Sequence, residues 1–215
     1  MMDMTTFSRR ALDLILSSEG LDHGGWPGGA SGVTIGRGYD LGHHSRAEFL
    51  ADWAPYLAAD DLRVLAGAIG LVGGTARAYA QTLKGRIRIS RNAADRVFFD
   101  ATLPKYIALT KQALPGVEKL PLDAQGALTS LVFNRGASFG VEGKPSWDSR
   151  REMRAVRNAV ARGDLIDIAV QIRSMTRLWI GKGLDGLIKR REAEAELIEA
   201  AALEQIAAQG ATSAS

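Results

Sequence analysis

Three residues in the first part of the chain carry side chains that a hydrolase uses. Glu19 is followed by Thr34 and Asp40. A protonated carboxylic acid facing a carboxylate that orients a water molecule is the arrangement that hydrolyses a glycosidic bond with inversion. In this scheme Glu19 protonates the leaving oxygen, Asp40 takes a proton from the water, and the Thr34 hydroxyl positions that water. The residue types and their order therefore predict a hydrolytic site.

The place of Glu19 follows from a helical pattern before it. Leu12, Ile15 and Leu16 form an apolar stripe at helical spacing, and Gly20 is placed to end the helix. Glu19 then lies at the negative end of the helix dipole, which disfavours the ionised carboxylate, and partial burial would favour the protonated form further. These conditions suit a general acid. A solvated glutamate that ends a helix is the simpler interpretation.

Asp40 can share a water molecule with Thr34 only if the chain reverses between them. In a straight strand the two residues would lie about 20 Å apart, at roughly 3.3 Å per residue. A reversal at Gly36-Arg37-Gly38 makes them cross-strand neighbours about 5 Å apart, and glycine permits such a turn. The sequence therefore predicts a β-hairpin. An Asp40 that only caps the turn and a Thr34 that is an ordinary strand residue are the alternatives.

After this segment the pattern is helical. Ser45 and Glu48 have the spacing of a capping box, and Ser149 and Glu152 repeat it. Pro121 suits the first turn of a helix, where its missing N–H would be unpaired. Helices are predicted at residues 6–18, 59–69, 75–83, 91–114, 121–134, 150–161, 165–175 and 184–208.

These elements predict an α+β fold that is mostly α, in a single domain of residues 1–215. A small β-containing lobe at about 20–60 follows the first helix, and a larger helical lobe occupies about 61–209. Residues 210–215 are predicted to form a frayed tail. No internal repeat and no stretch rich in Pro, Gly or Ser marks a second domain.

Composition narrows the possible classes of protein. Hydrophobic residues make up 46% of the chain and charged residues 24%, which is typical of a soluble globular protein. The absence of cysteine excludes disulfides, thiolate zinc sites and cysteine nucleophiles. We recognise no signal peptide and no apolar run of the roughly 18 residues that could span a bilayer. The sequence therefore predicts a protein made in the cytoplasm, without stable membrane insertion.

Two segments around the candidate residues carry a resemblance. Leu16–Gly20 reads Leu-Ser-Ser-Glu-Gly, and Gly32–Gly42 reads Gly-Val-Thr-Ile-Gly-Arg-Gly-Tyr-Asp-Leu-Gly. Together they resemble the active-site signature of the phage-type lysozyme superfamily, which is glycoside hydrolase family 24-like, and most closely its pesticin-like muramidase domains. The resemblance implies a lysozyme-like fold in which Glu19, Asp40 and Thr34 are catalytic.

The resemblance has one departure. Simple phage lysozymes carry their second acid before the threonine, where this chain has Gly28. We therefore follow the pesticin-like pattern, which assigns that role to Asp40. Asp22 is the alternative, because it is the acid between Glu19 and Thr34.

Later segments extend the resemblance and supply candidate substrate contacts. Ala124–Gly136 resembles the central helix of such lysozymes, which implies that Asn134 comes near the cleft. Trp179–Glu194 resembles their C-terminal Gly-Leu-x-x-Arg-Arg segment, for which we expect packing and salt bridges. Tyr39, inside the signature, is a second predicted substrate contact. Trp147 is a third, because an indole in a loop can stack on a sugar ring.

The resemblance implies an N-acetylmuramidase that cleaves the β-1,4 bond between N-acetylmuramic acid and N-acetylglucosamine in bacterial peptidoglycan, with inversion. No cofactor is expected, and no metal, since the adjacent His43 and His44 lack a spaced third ligand. We expect a monomer that binds no nucleic acid and acts on the wall in the periplasm after release or delivery. A lytic transglycosylase and a catalytically inactive wall-binding module are the alternatives.

Overall fold

The computed structural model describes residues 7–213, and within them the chain forms a three-stranded antiparallel sheet and eleven α-helices. The predicted mostly helical α+β class is confirmed. The strands are β1 (Asp22–Gly25), β2 (Thr34–Gly36) and β3 (Tyr39–Asp40), and the helices are α1 (Arg9–Ser18), α2 (Arg46–Trp53), α3 (Ala59–Ala66), α4 (Gly73–Leu83), α5 (Arg91–Val97), α6 (Leu103–Ala113), α7 (Leu122–Arg135), α8 (Pro145–Ser149), α9 (Arg151–Arg162), α10 (Leu165–Ser174) and α11 (Asp185–Ser213).

The described chain divides into two compact units. The first unit is Glu19–Lys105, and the second unit combines residues 7–18 with residues 106–213. Each unit has an apolar core of its own. The organisation into one domain, with lobes that meet near residue 60, stays a prediction.

The core of the first unit lies against one face of the sheet. Strand order is β1-β2-β3, and Ile35 of β2 pairs with Tyr39 of β3. Both side chains are buried, as are Phe49 and Trp53 of α2. Because side chains alternate along a strand, Thr34 and Asp40 point to the opposite face of the hairpin. The sheet thus separates an apolar face from the face that carries the candidate residues.

One of the two predicted capping boxes is present. Ser45 accepts a hydrogen bond from the Glu48 N–H at 3.2 Å, and the Glu48 carboxylate accepts one from the Ser45 N–H at 2.7 Å. The prediction for Ser149 is wrong. The hydroxyl of Ser149 makes no capping bond to α9, and the Glu152 carboxylate accepts from Arg177 Nε at 2.5 Å instead. An arginine distant in sequence therefore replaces the local partner.

The predicted helix over residues 91–114 is interrupted. Between α5 and α6 the segment Phe98–Thr102 is π-helical, and the Leu103 N–H donates to the Phe98 carbonyl. Pro104 follows directly. Proline has no N–H to donate, and its ring clashes with the carbonyl four residues earlier, so the preceding turn widens. The prediction of one regular helix is wrong for this reason.

Residues 210–213 of the predicted frayed tail belong to a helix, and the fraying of residues 210–215 stays a prediction. Helix α11 continues through Gly210 to Ser213, and residues 214–215 lie outside the described part of the chain. A single glycine costs a helix about 1 kcal/mol relative to alanine, which the alanine-rich sequence before it tolerates.

The C-terminal motif provides packing and salt bridges, as predicted. Glu194 is fully buried in the second unit, where its carboxylate accepts from Ser130 Oγ at 2.6 Å and from Arg191 Nη2 at 2.7 Å. Burial raises the pKa of Glu194, and it lowers the pKa of Arg191. The two charges oppose these shifts because each favours the ionised form of the other.

Helix α7 is the centre of the second unit and is buried on nearly all sides. Small residues allow its neighbours to come close. A Cβ atom added at Gly126 would overlap the Cβ of Ala11 on α1, so the two helices touch at a point where only glycine fits.

We predict that Gly126→Ala lowers the free energy of unfolding by about 1–3 kcal/mol, because the added methyl group forces α1 and α7 apart. Urea unfolding followed by circular dichroism measures this loss. Gly186→Ala, in the first turn of α11 with open space around it, is the matched control and should be neutral or slightly stabilising. Equal stability of the two variants would contradict the close contact at Gly126.

Candidate functional site

The β2–β3 hairpin brings two of the three candidate catalytic residues together. Thr34 pairs directly with Asp40. Arg37 and Gly38 form the turn, and Gly36 and Gly38 adopt φ values of 60° and 70°, which favour glycine. The predicted reversal and the predicted pairing of Thr34 with Asp40 are confirmed.

The Asp40 carboxylate is bound by the backbone. The N–H of Gly32 lies 3.0 Å from both carboxylate oxygens, and the N–H of Gly42 donates to Oδ1 at 2.8 Å. The second bond caps a short 3₁₀ helix, Leu41–His43. His43 Nε2 lies 3.8 Å from Oδ2. The turn-capping alternative is therefore observed, and the role of Asp40 as a base stays a prediction.

Thr34 lies beside this carboxylate with little exposure. The exposed fraction of Thr34 is 6%. Among the described residues, no side-chain hydrogen bond engages its hydroxyl. A hydroxyl next to a carboxylate and without a protein partner is suited to hold a water molecule, because it can both donate and accept.

Glu19 follows the last residue of α1 and is half-buried. The turn of the hairpin reaches its backbone, since Arg37 Nη1 donates to the Glu19 carbonyl oxygen at 3.5 Å. Arg37 Nε also pairs with the Asp95 carboxylate on α5. Arg37 was not predicted to be a functional residue, although a cation between two turn glycines is a signal that the sequence offers. The separation of about 6.5–9.5 Å that inversion requires between the Glu19 and Asp40 carboxyl groups stays a prediction.

Tyr39 belongs to the core of the first unit. It is 1% exposed, its hydroxyl donates to Asp52 Oδ2 at 2.8 Å, and its ring stacks on His44 with centroids 3.9 Å apart. Burial raises the pKa of the Tyr39 phenol, and burial lowers the pKa of the half-buried His44. No exposed ring surface is left for the substrate contact predicted for Tyr39. The residue supports the hairpin from its apolar side.

The alternative acid, Asp22, lies on β1 opposite Gly36 of β2. Directly paired residues point to one face, and so do residues two apart on a strand, so Asp22 shares the face of Thr34 and Asp40. Burial raises the pKa of the Asp22 carboxyl. Because of its place on the sheet, Asp22 stays the alternative to Asp40 as the second acid.

The other two predicted contacts lie in the second unit. Asn134 is exposed near the end of α7. Trp147 on α8 is 38% exposed, and the Arg154 guanidinium lies 3.4 Å from its ring centroid. One face of the indole is therefore covered by an arginine. Sugar binding by Asn134 and Trp147 stays a prediction.

Comparison with known families gives a match over part of the chain. A model described as a domain of unknown function, DUF8812, matches residues 22–111. The matched segment contains the sheet with Asp22, Thr34 and Asp40, and it begins after Glu19. No curated protein matches the chain.

The backbone contacts of Asp40 predict a stability effect that is separate from catalysis. Asp40→Ala should lower the free energy of unfolding by about 1–2 kcal/mol, because the N–H groups of Gly32 and Gly42 lose their acceptor. Asp40→Asn keeps one acceptor oxygen and should lose less. Urea unfolding of the two variants tests this order, and an Asp40→Ala protein as stable as the unmodified one would contradict it.

Proposed function

We propose that this protein is an N-acetylmuramidase that hydrolyses the β-1,4 bond between N-acetylmuramic acid and N-acetylglucosamine in bacterial peptidoglycan. The observation that carries the proposal is the pairing of Thr34 with Asp40 across the hairpin. It supports a water site in which a hydroxyl and a carboxylate act on the same molecule.

The reaction needs one proton donor and one proton acceptor. The carboxylic acid of Glu19 protonates the glycosidic oxygen as the bond from that oxygen to the anomeric carbon breaks. A water molecule attacks the same carbon from the opposite face, and the Asp40 carboxylate takes its proton. The product carries the inverted, α configuration. Glu19 ends ionised and Asp40 protonated, and exchange with solvent restores both.

Orientation of Asp40 by backbone N–H groups supports its role as the base. Bonds from Gly32 and Gly42 fix the carboxylate, and fixed geometry lowers the entropic cost of the reaction. Each carboxylate oxygen can accept more than one hydrogen bond, so these contacts leave capacity for a water molecule.

A lytic transglycosylase is the second candidate. It requires the acid but no water-activating base, and it leaves a 1,6-anhydro end. In such an enzyme Asp40 would keep only its structural role, as the acceptor for the N–H groups of Gly32 and Gly42.

The proposed partner is the peptidoglycan wall, bound by a monomer in the periplasm after release or delivery. No described helix combines the length and the apolar character needed to cross a bilayer.

Glu19→Gln should abolish lysis of chloroform-treated Gram-negative cells, because the glutamine amide is far too weak an acid to protonate the leaving oxygen. Asp40→Asn should reduce the rate roughly 100-fold or more. Loss of turbidity measures both. Glu118→Gln, which removes an exposed carboxylate elsewhere, is the control and should keep full activity. A Glu19→Gln protein that still lyses cells would refute the proposal.

The first product separates the candidate reactions. Hydrolysis with inversion should give a reducing end in the α configuration, detected by NMR before mutarotation. Mass spectrometry that finds 1,6-anhydro ends instead would identify a transglycosylase. Binding to insoluble peptidoglycan with no soluble sugar released would identify an inactive wall-binding module.

A further inference from the structure

Two arginines of α9, in the second unit, are held over aromatic rings. The Arg154 guanidinium lies 3.4 Å from the ring centroid of Trp147 on α8, and the Arg157 guanidinium lies 5.1 Å from the ring centroid of Phe139. Arg154 Nη1 also donates to the Phe139 carbonyl at 2.7 Å. An arginine stacked on a ring has lost part of its side-chain freedom before a ligand arrives, so that binding costs less entropy.

These arginines share the outer side of α9. They are three positions apart, which makes them neighbours on one side of a helix, whereas Met153 and Val156 are buried on the other side. Lys144, the N-cap residue of α8, is a third exposed cation beside Trp147 in the sequence. We call Lys144, Arg154 and Arg157, with the rings of Phe139 and Trp147, the arginine surface.

No carboxylate of the described chain pairs with the three cations of the arginine surface. The acids close to them in sequence are engaged elsewhere or stand apart. Arg177 pairs with Asp148 at 3.1 Å and with Glu152 at 2.5 Å, and Arg151 pairs with Glu152 at 2.8 Å. Glu142 is exposed and forms no salt bridge to a described residue. Positive charge is therefore left over on this surface, where it attracts anions.

A second pair of arginines adds to this charge. Arg150 lies one helical turn before Arg154 and is close to Arg135 of α7. Burial lowers the pKa of Arg135 to about 10, and the charge of Arg150 contributes to the same shift. Both groups stay ionised at neutral pH, so the start of α9 carries several cations that acids do not fully balance.

An exposed apolar side chain stands in the loop beside these cations. Val141 is 61% exposed, its N–H donates to Ser146 Oγ at 3.1 Å, and its carbonyl accepts from the Lys144 N–H at 3.0 Å. A turn thus fixes an aliphatic side chain next to Lys144. Cations next to an exposed apolar group suit a lipid surface, because phosphates attract the cations while the apolar group reaches the headgroup boundary.

The aromatic rings fit nucleic acid less well. Single-stranded nucleic acid stacks its bases on free ring faces. An arginine covers one face of Trp147 and lies over Phe139, which reduces the ring surface that bases could use.

We propose that the arginine surface docks this protein reversibly on an anionic phospholipid bilayer. The guanidinium groups of Arg154 and Arg157 pair with phosphate oxygens of the headgroups, because their planar sets of N–H donors match phosphate. Val141 enters the headgroup region. Docking of this kind is peripheral and requires no spanning helix. The inference goes beyond the proposed function and does not rest on it, since no residue of the first unit takes part.

The test is sedimentation of the protein with vesicles of phosphatidylglycerol and phosphatidylcholine in equal parts, and with vesicles of phosphatidylcholine alone. The protein should bind the anionic vesicles in preference, and binding should fall as the salt concentration rises. Arg154→Gln/Arg157→Gln should weaken binding about tenfold or more, because each cation near an anionic surface contributes to the affinity. Equal binding to the two kinds of vesicle would overturn the proposal.

The matched control is Lys111→Gln/Lys119→Gln, which removes the same charge from exposed residues outside the arginine surface. It should change the affinity by less than about twofold, because salt screens charges that do not approach the headgroups. Circular dichroism establishes that both double variants are folded. Equal weakening by the two would show that net charge alone drives binding, and the assigned surface would be wrong.

Val141→Ser separates a bilayer from a soluble polyanion. It should weaken binding to the anionic vesicles about threefold, because less apolar area leaves water, and it should leave the affinity for soluble polyphosphate unchanged. Tighter binding of single-stranded DNA than of the vesicles, through the same two arginines and without a contribution from Val141, would identify nucleic acid as the partner and overturn the proposal.

The docking proposal and the muramidase proposal fail separately. Peptidoglycan hydrolysis by a protein that ignores anionic vesicles would refute only the docking. Vesicle binding with the expected arginine dependence supports the docking even if the protein releases no fragments from peptidoglycan.

Discussion

The guanidinium of Arg37 connects three stretches of the first unit that are distant in sequence. It lies in the hairpin turn, pairs with Asp95 on α5 and donates to the carbonyl of Glu19. The half-buried position of this arginine makes the pair with Asp95 stronger than an exposed salt bridge, because solvent screens it less. The backbone of Glu19 and the hairpin that carries Asp40 are thereby held in one framework. Any chemistry that uses these residues together depends on that contact.

The surroundings of Asp40 show how a carboxylate can be positioned by main chain alone. A Cβ atom at Gly32 would collide with the Asp40 carboxylate and with the backbone of Gly42. The absence of side chains at both glycines lets two N–H groups approach one carboxylate. A carboxylate held in this way is rigidly placed, since the N–H groups that bind it belong to the main chain and have no rotamers to be ordered when a ligand binds.

Local features of the sequence predicted the hairpin well. Turn glycines and strand alternation act over a few residues, so the pairing of Thr34 with Asp40 could be derived from spacing alone. Pro104, which accounts for the widened turn before it, is also a local feature of the sequence. The apolar helical pattern nevertheless led to the prediction of one regular helix over residues 91–114. Tyr39 was misjudged because its partners, Asp52 and His44, come from segments whose packing the hairpin pattern does not encode.

The second unit is discontinuous, because residues 7–18 join it from before the first unit. Helix α1 packs on α7, and Arg10 pairs with Glu204 near the other end of the chain. During synthesis the first unit is complete once residue 105 has emerged, whereas α7 and α11, against which α1 packs, are made later. Contacts of such long range are slow to form. The order of residues therefore dictates an order of assembly, in which α1 is made before the first unit and is packed onto its partners after that unit is complete.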